Sequence, residues 1–226
     1  MNKLVLFIIL ILNCLKINGQ TKSETKLGSW YMYYGNHILT NNWSLKTGFE
    51  ERNYQTFQNY NLTLYLLGAN YKIKKNLTAT LSYLYLDIDR TFDPDVVPNT
   101  KENRFYEQLN YNTKYFNIPI SHRFRVEHRF LNSMGIKTNL NRARYRIKAK
   151  IAISKLLYLT GSNESFFNFK GKLYPENRFM TTVGFRLTKK ISIETGYLGH
   201  YINDLHLNRF LIGFYLKTDF RKKAKN

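Results

Sequence analysis

The chain has 226 residues, with 35 Lys+Arg against 15 Asp+Glu, 18 Tyr, 16 Phe and one Cys. A formal charge of +20 with that aromatic content excludes an acidic, aromatic-poor disordered chain, and the lone Cys excludes a disulfide framework or a zinc site. A mean hydropathy of −0.43 argues against a bundle of membrane helices, so a chain polar on average but crowded with Tyr and Phe suggests strands with two unlike faces.

The N-terminus comes first. Lys3 precedes the apolar run LVLFIILILNCL at 4–15, and Lys16, Ile17, Asn18 and Gly19 follow. Twelve residues are too few for a spanning helix, which needs about 20. A short apolar run behind a basic residue predicts a signal peptide over 1–19, cut after Gly19, with Cys14 in the removed part. The mature chain would be 20–226, without cysteine and without Lys3 and Lys16. No later run reaches the length of a membrane helix, so the mature chain can enter a membrane only as a closed barrel.

Period-two alternation then marks strands along the chain. A weak one covers 28–34. At 43–50, Trp43, Leu45, Thr47 and Phe49 alternate with Ser44, Lys46, Gly48 and Glu50. A weak segment at 61–73 precedes a good one at 77–85, with Leu77, Ala79, Leu81, Tyr83 and Tyr85 on one face. The segment 104–114 is the poorest, because Glu107 shares the parity of Phe105, Leu109 and Tyr111. The clearest is 120–130, where Ile120, His122, Phe124, Val126, His128 and Phe130 oppose Ser121, Arg123, Arg125, Glu127 and Arg129. At 141–153, Ala143, Tyr145, Ile147, Ala149 and Ile151 oppose Arg142, Arg144, Arg146, Lys148 and Lys150. A helix would scatter those cations round its axis; a strand puts them on one face. Further strands are predicted at 156–164, 178–187, 191–198 and 210–216.

These are eleven segments, and bacterial single-chain barrels have even strand numbers. The expectation is therefore about 10–12 strands with one segment misread or missed. Tight connections are expected at 72–76, 117–119, 154–155 and 188–190, and longer loops at 87–101, 131–141, 165–177 and 201–207. Short turns alternating with long loops, and Tyr and Trp near strand ends, predict an all-β, antiparallel up-and-down transmembrane barrel. A secreted soluble barrel with its apolar face inward, acting as a binding protein, is the alternative.

Several stretches together resemble the family catalogued as domain of unknown function 2490, regarded as outer-membrane β-barrels of Gram-negative bacteria and common among Bacteroidetes. They are HRFRVEHRF at 122–130, RARYR at 142–146, NESFFN at 163–168, ENR at 176–178 with Gly184, and ETGY at 194–197. The resemblance spans nearly the whole mature chain. It implies the fold and the outer-membrane location, with lipid as partner, and carries no catalytic residue across.

If the apolar parity faces lipid, the lumen receives Arg123, Arg125, Arg129, Arg142, Arg144, Arg146, Lys148 and Lys150, with Glu127 as their only local acid. Glu50, Glu164, Arg178, Arg186 and Glu194 lie on the polar parity of other strands. Two readings follow. Paired charges could fill the lumen as a structural plug. Alternatively, the surplus of cations could make a small anion-preferring pore. A lipid hydrolase or acyltransferase would need a nucleophile beside a base. His122 and His128 lie on the apolar parity, and His200 on the polar one. Ser121 points away from His122, and no G-x-S-x-G occurs. The expectation is no catalytic residue, no metal and no cofactor. The cations lie along alternating faces with no nucleic-acid-binding motif. A basic tail at 221–225 (RKKAK) would sit at the periplasmic end.

Overall fold

The computed structural model describes residues 26–91 and 99–221. They form eleven strands: β1 (Leu27–Ile38), β2 (Trp43–Gln55), β3 (Gln58–Lys74), β4 (Leu77–Asp89), β5 (Asn99–Tyr115), β6 (Ile118–Ser133), β7 (Ile136–Ala152), β8 (Leu157–Asn168), β9 (Glu176–Arg186), β10 (Ile191–Ile202) and β11 (Leu205–Asp219). Sequence neighbours pair antiparallel, and the sheet closes into a barrel through β1 and β11, which run parallel. The expected signal peptide and residues 222–226 of the basic tail lie outside the described residues.

All eleven predicted segments are strands, 28–34 included. The expectation that one was misread is corrected: the barrel accepts an odd number by making one parallel seam, from Leu27↔Asn208 to Ile38↔Asp219. Parallel ladders are only slightly weaker per residue, so the seam costs little. Aromatic side chains reinforce it, with Tyr33 stacked on Phe214 at 6.1 Å and Tyr34 on Tyr215 at 6.1 Å.

Strand direction defines two mouths. β1 starts at the N-mouth, which carries connections 56–57, 134–135, 169–175 and 203–204 together with the end of β4 and the start of β5. β11 ends at the C-mouth, with connections 39–42, 75–76, 116–117, 153–156 and 187–190. The expected sorting of loops by length holds only in part. The stretches 131–141 and 201–207 are hairpins with two-residue turns at 134–135 and 203–204. Met134 (φ 50) and Gly135 (φ 86) take the positive φ of a primed hairpin turn. In these stretches the apolar-out, polar-in alternation lapses, with Leu131 and Leu207 buried and Ile202 lining the lumenal cavity, while the ladder continues.

Following the pairing from Tyr33 through β2 to β6 arrives at Asn139 of β7; following it through β11 to β8 arrives at Ile153. That displacement of fourteen residues over eleven strands sets a strand tilt of about 40°.

The faces are inverted relative to a soluble barrel. Leu67, Leu81, Phe105, Phe124, Ile147 and Phe185 point outward and are exposed, Phe124 by 53% and Leu81 by 58%. Arg104, Arg125, Arg142, Arg144, Glu102 and Glu127 point inward and are buried. The soluble alternative, with the apolar face inward, is therefore not the arrangement found. β3 and β4 are the exception to strict alternation: Leu62, Leu64, Leu66, Leu84, Leu86 and Ile88 form a buried aliphatic cluster on the lumenal side.

Candidate functional site

The lumen collects the charged parity of β5 to β10. Alternation on β6 turns Arg123, Arg125, Glu127 and Arg129 inward, and on β7 Arg142, Arg144, Arg146, Lys148 and Lys150. Glu127 is 0% exposed and is the hub. Its carboxylate accepts from Arg142 Nε at 2.6 Å, Arg144 Nη1 at 2.5 Å and Arg125 Nη1 at 3.3 Å, with Arg104 Nη1 at 3.5 Å. A carboxylate can hold that many donors because each oxygen has two lone pairs and guanidinium forks match its plane.

Neighbouring acids extend the mesh. Glu164 accepts from Arg123 Nη2 at 2.6 Å and Arg144 Nε at 2.9 Å. Glu102 accepts two bonds from Arg129, both at 2.8 Å, and one from Arg104 Nε at 2.6 Å. Glu176 joins Arg142 at 3.2 Å, His200 Nε2 at 2.8 Å and Arg178. Glu50 holds Arg52 (Nε at 2.9 Å) and Tyr34. Aromatic faces take up more cation: Arg125 lies 3.8 Å from the Tyr106 ring centre, and Arg52 3.6 Å from that of Trp30. Phe166 is enclosed by Arg142, Arg144 and Arg178 at 4.8, 4.3 and 4.7 Å.

The structure places Glu164, Arg178, Arg186 and Glu194 on the lumenal side with those above: Glu164 and Arg178 line the N-mouth cavity, Arg186 the C-mouth cavity, and Glu194 is buried beside Lys148. The expected shortage of acid beside the arginines is corrected for this part of the lumen. Arg123, Arg125, Arg129, Arg142 and Arg144 each meet a carboxylate. Glu102, Arg104 and Glu176 escaped the sequence reading. Arg104 opens the segment read most poorly, Glu102 lies beyond its predicted end, and Glu176 lies in a stretch whose composition reads as loop. Glu127 and Glu102 show what was obtainable, since a buried arginine wall demands acids on adjoining strands.

Two cavities flank this mesh. One, about 850 Å³, opens at the N-mouth and is lined by the leucine cluster on one side and by arginines and Glu50, Glu164 and Glu176 on the other. The second, about 820 Å³, opens at the C-mouth, and no Asp or Glu is among its described lining residues. Tyr34, Lys46, Arg123, Arg146 and Tyr215 line both, forming a partition between them.

The histidines are all engaged. His128 points outward and is bonded to Asn141 at 3.1 Å and Glu107 at 3.2 Å, which places the misfit Glu107 on the outer face. His122 bonds the Tyr145 hydroxyl at 2.8 Å. His37 lies between the Thr47 and Thr218 hydroxyls at 2.9 and 2.8 Å, with no carboxylate among its bonds to orient it as a base. Among the described residues no group of three His, Cys, Asp or Glu could hold a metal ion.

The family model described as "protein of unknown function (DUF2490)" matches residues 27–210. No curated protein matches the chain.

Proposed function

The chain belongs to the DUF2490 family, and from that premise we propose that it is a non-enzymatic outer-membrane β-barrel whose lumen is a charge-linked plug. The observation that carries this reading is the inversion of faces: apolar residues outside, a paired Arg/Glu mesh inside. Apolar positions of the outward parity run from Ala143 on β7 to Ile153 just past its end, which at a tilt near 40° rises about 25 Å, the height of an outer-membrane belt. Export by the expected leader would deliver the chain there, with lipid as its partner and no cofactor. The mesh supports a plug because each guanidinium that meets Glu127, Glu164 or Glu102 is held by charge-assisted bonds.

The non-enzymatic reading draws on the histidines. None of His122, His128 and His200 bonds a Ser, Thr or Cys nucleophile.

The test is refolding of the mature chain into lipid vesicles, then recording in a planar bilayer under a salt gradient. Expected are detergent-dependent solubility, protection of the barrel from protease, and no steady current. A chain soluble without detergent would overturn the membrane reading. Steady anion-selective steps would overturn the plug and establish the second reading, a small anion-preferring pore. That second reading is favoured by the acid-free cavity at the C-mouth.

A further inference from the structure

We propose that the C-mouth cavity is a binding site for a small, hydrophilic, multivalent anion bearing phosphate groups. The site belongs to the lumen itself, so it stands whether or not the barrel conducts.

The cavity of about 820 Å³ falls within the range of small-molecule sites. Eleven Lys and Arg side chains line it, with Arg123 and Arg146 at the partition, Lys46 and Lys150 on the walls, and Lys189 and Lys190 at the rim. Its other lining is largely polar, including Asn36, Asn70, Gln108 and Asn110, which suits a ligand hydrophilic over its whole surface. The nearby acids are already engaged. Glu194 accepts from Tyr158, Thr182 and Lys148, and Asp219 accepts from Arg221.

The decisive feature is a repeated cross-strand pair whose second copy has an acid, Glu164, opposite Arg146 and bonded to Arg123, but, among the described residues, no acid bonded to both arginines. Arg125 sits opposite Arg144, and both donate to the same oxygen, Oε1 of Glu127. Two residues nearer the C-mouth, Arg123 sits opposite Arg146 in the same register. Arg123 reaches Glu164 through Nη2. The Nε atoms of both Arg123 and Arg146 are buried with no hydrogen-bond partner. Like charges directly opposite repel, and buried donors without acceptors are costly. An anion seated there would do for this pair what Glu127 does for the other. Guanidinium forks match phosphate oxygens, while the rim lysines act as steering charges.

The experiment is calorimetric titration of the detergent-solubilised mature barrel with inorganic tripolyphosphate. Expected is one ligand per chain, binding that weakens as salt is raised, and affinity about tenfold lower in Arg146→Gln. The double variant Lys189→Gln/Lys190→Gln, on an exposed turn, keeps the question decidable if Arg146→Gln does not fold. It too should bind more weakly. Absence of binding by either free phosphate or lipid headgroup, or binding unchanged in both variants, overturns the proposal. Vesicles with and without phosphatidylglycerol separate the sources of phosphate. Binding of free tripolyphosphate identifies a soluble ligand. Engagement of anionic vesicles alone, lost in the lysine variant, identifies a lipid headgroup.

Discussion

The two halves of the lumen are built from the same strands and the same polar parity, yet they differ in counter-charge. Toward the N-mouth, Glu50, Glu102, Glu127, Glu164 and Glu176 meet the arginines, and the side chains lock together. Toward the C-mouth the cations continue, on Lys46, Arg146, Lys150 and the rim lysines, while the described lining of the cavity offers no acid. A row of cations on one strand therefore does not determine whether a barrel is filled. What decides is whether adjoining strands place carboxylates at the same level.

The sharpest way to break this contrast is Glu127→Ala. Four arginines would lose their shared acceptor, and removal of one partner from a buried pair costs about 3–5 kcal/mol. Urea unfolding in detergent micelles measures it; a loss below about 1 kcal/mol would erase the distinction between the halves. Next is Glu164→Gln, which weakens the hold on Arg123 and Arg144 and should cost about 1.5–3 kcal/mol by the same assay. Because Arg123 is part of the partition, this variant should also raise bilayer conductance above the wild-type baseline. A smaller effect of opposite sign is expected from Asn110→Asp, which sits across from Arg123. A carboxylate there should stabilise by about 0.2–1 kcal/mol and weaken tripolyphosphate binding, making the C-mouth half resemble its neighbour. Smallest is the Lys189→Gln/Lys190→Gln pair, whose unfolding free energy should stay within about 0.5 kcal/mol of wild type.

How much of this was legible in the sequence depends on whether the two faces of a strand see different surroundings. On β6 and β7 they do, apolar outside and arginine inside, and the alternation marks both strands and the inward face of the nine lumenal candidates they carry. On β3 the lumenal face is leucine as well, so Leu62, Leu64 and Leu66 blurred the period and the strand read as weak. Where apolar residues turn to the lumenal side, as Leu131, Ile202 and Leu207 do, the alternation fails, and 131–141 and 201–207 read as loops although the ladder continues through them. The acids that complete the mesh fell in such places. Glu102 and Glu176 sit near the N-mouth ends of β5 and β9, where composition no longer reports the strand. The partnering of arginines also depends on register between strands, which no single strand encodes.

The parallel seam has a mechanical consequence. Leu27 opens β1 at one mouth and Asp219 closes β11 at the other. Opposed pulls at those two points, directed along the barrel axis, would slide the two strands past each other. Twelve residue pairs would then share the load at once. An even-stranded barrel has its first and last strands antiparallel, with both ends at one mouth, so pulling them apart would peel the ladder one bond at a time. The odd strand thus turns the barrel's closing joint from a zipper into a lap joint, resistant to tension between its two rims.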